Sequence, residues 1–392
     1  MAADAGYPLE GLKVLDFSRV LAGPFAGRML SDLGAEVVKI EPPEGDTSRL
    51  WGKIAAGVSG YFNMVNAGKR SIAIDLRATG AQELVLALVR HADVLVENFR
   101  PDVMPRLGIG YETLAAANPK LIMLSISGFG RDGPESQRPA YAPIVHAELG
   151  LIDRTARMKG VQLDLPLSVA DTNAGLHGLV ALLSAVIMRA RTGLGQHIDM
   201  AMMDATLMCD DQLHFEIEDA EATRNLPPDM WDTGAGPILV SVDFRWLWKL
   251  LTSSFSVVEP STPDMEIDTK IAARREAVAA FMARLSTWDE VEAAMAKMNL
   301  AWGRIRTGKA LREQPTLAHR QSIVEVDDRA GGTRPIVQSP YRFSSAQSGV
   351  RGGAPHKGEH TDEILRAWLG LSDDEIGALA AQGILTRDGA TS

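Results

Sequence analysis

A single cysteine, Cys209, stands among 392 residues, so neither an intramolecular disulfide framework nor a thiolate-rich zinc site is available. Basic charge is also scarce. Forty Lys and Arg against fifty Asp and Glu leave a formal charge of −10, without the cationic surplus that nonspecific nucleic-acid binding needs. A small anionic ligand needs only a few cations in one place and is not excluded. No uninterrupted apolar run approaches the roughly 18–20 residues of a bilayer crossing. The longest, residues 179–188 (LVALLSAVIM), is short and carries a serine. The opening residues MAADAGYPLEG are acidic and lack the basic-then-apolar order of a signal peptide, so a cytoplasmic protein with no membrane partner is expected. No two of the eight histidines are spaced as metal ligands on a plausible helix. His356 and His360 are four apart, but Pro355, Lys357 and Gly358 oppose a helix there, and no metal centre is expected. A G-x-S-x-G nucleophile elbow is missing too, which leaves a serine hydrolase unsupported.

Apolar residues make up 46% of the chain, enough for two or three units of roughly 150 residues each. Short, nearly continuous apolar runs at 13–17, 36–41, 71–75, 92–97 and 121–125 read as strands. Between some of them, residues 25–33 and 81–91 carry helical spacing. Buried strands separated by helices predict an α/β fold with a doubly wound parallel sheet. Residues 173–190 read as a long buried helix, 196–200 as a strand and 204–217 as a helix. The stretch 220–230 is polar with paired prolines and marks a boundary. Beyond it Trp231, Trp246, Trp248, Trp288 and Trp302 suggest a second compact core, with helices at 269–286 and 288–298. Thr287 and Glu290 spell a capping box for the latter. Residues 325–358 read as an extended connector, followed by helices at 361–369 and 372–382. The domains drawn from this are 1–220, the N-terminal part of a large α/β domain; 221–325, a smaller α+β domain; and 326–392, a connector and the C-terminal part of the large domain.

Gly128 to Gly133 spells G-x-G-x-x-G after a strand. A dinucleotide fingerprint opens a helix, whereas Pro134 to Pro139 has no apolar period, so these glycines serve a turn. Asp171 lies where a loop meets the long helix. It reads as an N-cap, and an ionised carboxylate at that helix terminus is also able to attack an activated acyl group. Arg77, Asn98 and Arg106 follow strand ends, where ligands of a doubly wound sheet sit, and arginine suits phosphate groups.

The opening GLKVLDFS, then Ala22-Gly23-Pro24, DLGAEVVKIE at 32–41, NAGKRSIAID at 66–75 and DVLVENFRP at 93–101 resemble the class III coenzyme A transferases. So do Ser127 to Gly130, RTGLGQHIDMAMMDA at 191–205 and GEHTDEIL at 358–365. The resemblance implies an interlocked homodimer and a transfer of coenzyme A between an acyl-CoA thioester and a carboxylic acid. Coenzyme A is then a substrate, with no tightly bound cofactor. It implies Asp171 as the nucleophile, forming an aspartyl anhydride and an aspartyl-CoA thioester. It places Val20, Leu21 and Ala22 beside the CoA chain. Ile74, Arg77, Asn98, Phe99, Arg100 and Arg106 fall near its adenine, phosphates or pantetheine, and Tyr141 at the active site.

Two positions depart from the family. Ala142 stands where an acidic residue often follows that tyrosine, and His146 stands where glutamine is common. The glycine run that shields the intermediate in formyl-CoA transferase is reduced to Gly234-Ala235-Gly236. Two other functions compete. A 2-methylacyl-CoA racemase of the same fold would need a histidine at or beside Tyr141, and none is there. A non-catalytic acyl-CoA-binding paralogue would fit Ala142 and the missing glycines.

Overall fold

A computed structural model describes residues 6–218 and 229–386. The polar boundary expected at 220–230 lies largely outside the described residues. Two compact units emerge: residues 1–213 with 319–392, and residues 214–318.

The first unit is built on six strands. In spatial order they are Arg70–Ala73, Glu36–Glu41, Lys13–Asp16, Val94–Glu97, Ile122–Ser127 and Gln196–Ala201, and every neighbouring pair is parallel. Numbered along the chain this is 3-2-1-4-5-6, the doubly wound order. Its chain reversal falls between Lys13–Asp16 and Val94–Glu97, and ligands of such sheets bind where the loops leaving those two strands part. Both faces are covered. One buries Leu15, Ile72, Leu95 and Met123 under the helices Ala81–Val89 and Thr361–Leu369; the other buries Val14, Val96, Ile122 and Leu124 under Ala22–Asp32 and Val169–Thr192. Residues on both sides of the second unit therefore share one core.

The helix Val169–Thr192 runs 24 residues, with a mean hydropathy of 1.4 over its most apolar window. This corrects the reading from uninterrupted apolar runs, because polar residues placed once per turn hide the length of the segment. It is the one helix among the described residues long and apolar enough to cross a membrane. Here it is a core helix along one face, through Ala170, Ala174, Gly178, Leu179 and Leu182. Close packing depends on glycine. A Cβ on Gly175 would lie 2.8 Å from the Ala22 carbonyl oxygen, and one on Gly178 would lie 3.0 Å from Leu124.

The second unit packs Trp231, Ile238, Leu247, Trp248, Phe281 and Met295 around a three-stranded antiparallel sheet. Gly234 turns the hairpin between Asp229–Thr233 and Gly236–Val240, where a Cβ would lie 2.9 Å from the Ser286 Cα. The capping box of Thr287 and Glu290 is present.

Three expectations change. Residues 325–358 are not a plain connector, because Ile323–Asp327 and Thr333–Val337 pair as a hairpin whose turn is held by Asp328 accepting the amides of Ala330 and Gly332. The single helix expected at 204–217 is two, Met202–Cys209 and Leu213–Ile217. Asp210 breaks it by accepting the amides of Gln212 and Leu213. Asp171 is not an N-cap; Ser168 is, and Asp171 lies in the first helical turn.

Candidate active site

The chain reversal of the sheet is where the candidate site forms. The Asn98 side chain ties the two loops together there, accepting the Arg19 amide at 2.8 Å and donating to the Arg19 carbonyl at 2.8 Å. Between them Val20 adopts φ 68°, a left-handed conformation that a β-branched residue rarely takes. It is held by Asp46, whose carboxylate accepts the Val20 amide at 3.2 Å.

Beneath this loop lies a buried set of charges. Lys69 Nζ contacts Asp16 at 2.7 Å and the oxygens of Pro24 and Asn66 at 2.9 Å. Lys39 Nζ donates to the Ser18 carbonyl at 2.7 Å and pairs with Asp46 at 3.1 Å. Glu41 takes two bonds from Arg49, at 2.6 and 2.7 Å, and one from Ser71 at 2.8 Å. Burial alone would raise the Asp16 and Asp46 carboxyls, but the two lysines hold Asp16, and Lys39 with the Ser48 hydrogen bonds holds Asp46, below the ordinary value. Burial pulls the Lys69 ammonium down to about 8 against the attraction of Asp16. Three acids against three bases leave the floor near neutrality.

Asp171 opens onto a cavity of about 250 Å³ whose wall includes Val20, Ala22, Asn98, Arg100, Arg138 and Tyr141. The backbone amides of Ala142 and Ala22, each at the start of its own helix, face the Asp171 carboxylate and favour its ionised form. Burial nevertheless raises its pKa to about 6, against those amides. It is therefore mostly ionised at pH 7 and only partly hydrated, which suits a nucleophile. A second cavity of about 500 Å³, lined by Arg77, Arg106, Lys39 and Glu44, shares Arg19 and Phe99 with the first. The two form one groove with arginines along its rim. Among the described residues, no cluster of three or more His, Cys, Asp or Glu is arranged to hold a metal ion.

The structure thus brings Val20, Ala22, Asn98, Phe99, Arg100, Tyr141 and Asp171 to one cavity and Arg77 and Arg106 to the adjoining one. Tyr141 is 63% exposed. Arg77 and Arg106 reach solvent while paired with Asp75 and Asp102. Leu21 and Ile74 line neither cavity. Ile74 is fully buried in the core and its amide bonds the Glu41 carbonyl, so its side chain faces sheet packing. Sequence reasoning missed Tyr61, a phenol pushed up by burial and by the charge of Asp171. It also missed the buried lysines and Arg138. A lysine inside the apolar stretch of the strand run EVVKIE was the available sign of Lys39.

Fold and groove define a doubly wound α/β enzyme with an ionised carboxylate beside an anion-accepting cleft. The chain belongs to CoA-transferase family III, which it matches over residues 9–361. It is 33% identical to an acyl-CoA transferase of Fusarium pseudograminearum, over 96% of this chain and 88% of that protein. It is 31% identical to the succinyl-CoA–D-citramalate CoA-transferase of Chloroflexus aurantiacus, over 96% and 98%. A solved CAIB/BAIF family protein from Brucella suis superposes with a TM-score of 0.79 at 33% identity, covering 93% of this chain and all of that one. The protein is accordingly a CoA-transferase, moving coenzyme A between an acyl-CoA and a carboxylic acid.

Proposed function

We propose that transfer proceeds through covalent attachment to Asp171. A carboxylate oxygen of Asp171 attacks the donor thioester carbonyl, the C–S bond breaks, and CoA leaves as the thiolate with a mixed anhydride in its place. The thiolate then attacks the aspartyl carbonyl and expels the donor acid, leaving an aspartyl-CoA thioester. An acceptor carboxylate attacks that thioester, releasing the thiolate and forming a second anhydride. Attack of the thiolate on the acceptor carbonyl completes the new acyl-CoA and regenerates the carboxylate. Each anhydride conserves the reactivity of the thioester, so no nucleotide is consumed.

The observation that carries this reading is the Asp171 carboxylate facing the cavity between the amides of Ala22 and Ala142. Those amides are placed to stabilise negative charge developing on its oxygen during acyl transfer. The cavity wall carries no histidine among the described residues, which favours group transfer over α-proton exchange by a racemase. Arg77, Arg100 and Arg106, with Asn98 and Phe99, line the groove for the CoA phosphates and pantetheine.

The working form we propose is a homodimer. Val180 and Ile187 are 63% and 66% exposed on the long helix, and Met208 is 79% exposed on the next, large apolar side chains that a second copy would cover. Light scattering after size exclusion tests it; a monomer of 42 kDa overturns it.

The chemistry is tested by intact-protein mass spectrometry after incubation with acetyl-, formyl- and succinyl-CoA, with and without hydroxylamine. A CoA-sized adduct that hydroxylamine removes and that Asp171→Ala lacks is the expected result. Binding of every donor without an adduct or turnover points instead to an acyl-CoA-binding protein.

A further inference from the structure

His146 is fully buried one helical turn beyond Ala142, on the short helix Ala142–Glu148. Its Nε2 meets the backbone amide of Ala170 at 3.3 Å, and its Nδ1 meets the Asp164 carboxylate at 2.8 Å. An amide only donates, so Nε2 accepts. The ring proton is therefore on Nδ1, where it is given to Asp164. The helix Val169–Thr192 receives no side-chain cap from its own N-cap residue, Ser168. The imidazole supplies that cap from another element.

Contacts in both directions consequently join the helices Ala142–Glu148 and Val169–Thr192. The Ala142 amide faces the Asp171 carboxylate, and the Ala170 amide, one residue before Asp171, donates to His146. Asp164 holds the imidazole in the accepting tautomer, and the Asp164 carboxylate also accepts the Leu165 amide at 2.8 Å, which anchors it in the preceding loop.

We infer that His146 and Asp164 are positioning residues for the Asp171 nucleophile, acting as a tertiary cap that holds its helical turn in register with the Ala22 and Ala142 amides. Neither lines the cavity, so neither touches the substrate. The inference rests on the reading of Asp171 as nucleophile. The chemistry required of residue 146 is modest: one acceptor toward Ala170 and one donor toward Asp164. A glutamine side chain offers both through its amide, and leucine offers neither.

The test compares full-length wild type, His146→Gln, His146→Leu, Asp164→Ala and Asp171→Ala. Steady-state turnover, the rate of the CoA adduct in rapid quench with acetyl-, formyl- or succinyl-CoA, and the thermal midpoint are measured for each. A misplaced reacting group costs on the order of 100-fold in rate. His146→Leu is expected to lose about that factor in kcat and in adduct formation with KM within about threefold. Asp164→Ala is expected to lose about tenfold, and His146→Gln to return to within about threefold of wild type. Rescue by glutamine keeps the proposal falsifiable if the leucine variant folds poorly. A folded His146→Leu at wild-type rate, or a folded His146→Gln as slow as leucine, overturns the positioning role while an inactive Asp171→Ala leaves the nucleophile standing. Turnover by Asp171→Ala, or no adduct on wild type from any donor, overturns the nucleophile and this inference with it.

Discussion

Asp46 accepts the amide of Val20 at 3.2 Å while pairing with Lys39 at 3.1 Å, so one buried carboxylate both neutralises the floor of the cleft and bends the loop above it. It also accepts the Ser48 amide at 2.9 Å. Asp46→Ala leaves Lys39 buried without its ion-pair partner and Val20 in a costly conformation without its restraint. Breaking a buried pair in this way costs about 3–5 kcal/mol. The expected outcome is that loss in urea unfolding, with a raised KM for acyl-CoA in whatever fraction stays folded. Unchanged stability would show that solvent reaches Lys39.

The pair of Lys69 and Asp16, fully buried at 2.7 Å, makes a sharper prediction. Lys69→Met strands Asp16 and is expected to lose about 3–5 kcal/mol. Adding Asp16→Asn removes the stranded charge and recovers a substantial part of that loss. Denaturant midpoints of the two singles and the double form the cycle.

Activity and stability respond to pH with opposite signs at Asp171. Burial raises its pKa to about 6, and attack requires the ionised form, so kcat/KM is expected to fall tenfold per unit below pH 6. For stability, the folded pKa lies above the ordinary 3.8. Between about pH 4 and 6 the folded chain keeps a proton that the unfolded chain gives up, so this group's contribution improves as pH falls through 6. Asp171→Asn removes the cost of the buried charge. It is expected to abolish turnover yet gain about 1–2 kcal/mol at pH 8, after allowing for partial exposure, with the gain vanishing near pH 4. Urea titrations at the two pH values check both parts.

Arg77 and Arg106 sit on the rim of the groove and are solvated, so each is expected to affect binding rather than chemistry. Arg77→Ala should raise KM for acyl-CoA by about threefold to tenfold and leave kcat within twofold. The difference from wild type should shrink at 0.5 M salt, where screening already weakens the contact. A fall in kcat with unchanged KM would remove Arg77 from the phosphate surface.

The parallel sheet was legible because its strands are short, continuous apolar runs such as VLVE, and burial on both faces leaves no other sequence for them. Asp171 was legible as a carboxylate at a helix start, though not its place within the first turn, which depends on packing against Ala22. The hairpin over residues 323–337 was hidden because its five-residue strands read EVD and TRP at their turn, polar on a mostly exposed element. The charged floor was hidden for a different reason. Lys69 and Asp16 are 53 residues apart, and His146 and Asp164 are 18 apart on a helix and a loop. Neither pair leaves any periodic trace in the sequence, since the fold alone brings the partners together.

The core of the first unit closes only with residues from both sides of the second. Ile74 bridges to Leu385, Ser71 bonds Gly358 and His360, and Ile364, Leu365 and Trp368 pack under the sheet. During synthesis, the strands Lys13–Asp16 and Val94–Glu97 that frame the cleft emerge about 260 residues or more before these partners, while residues 214–318 have their own core and are complete earlier. For that interval one face of the sheet is covered only in part, by Ala81–Val89, and is open to chaperones and to other nascent chains. The cleft is thus a late product of translation, and a chain arrested before residue 358 would carry every groove residue named above without the packing that holds them in place.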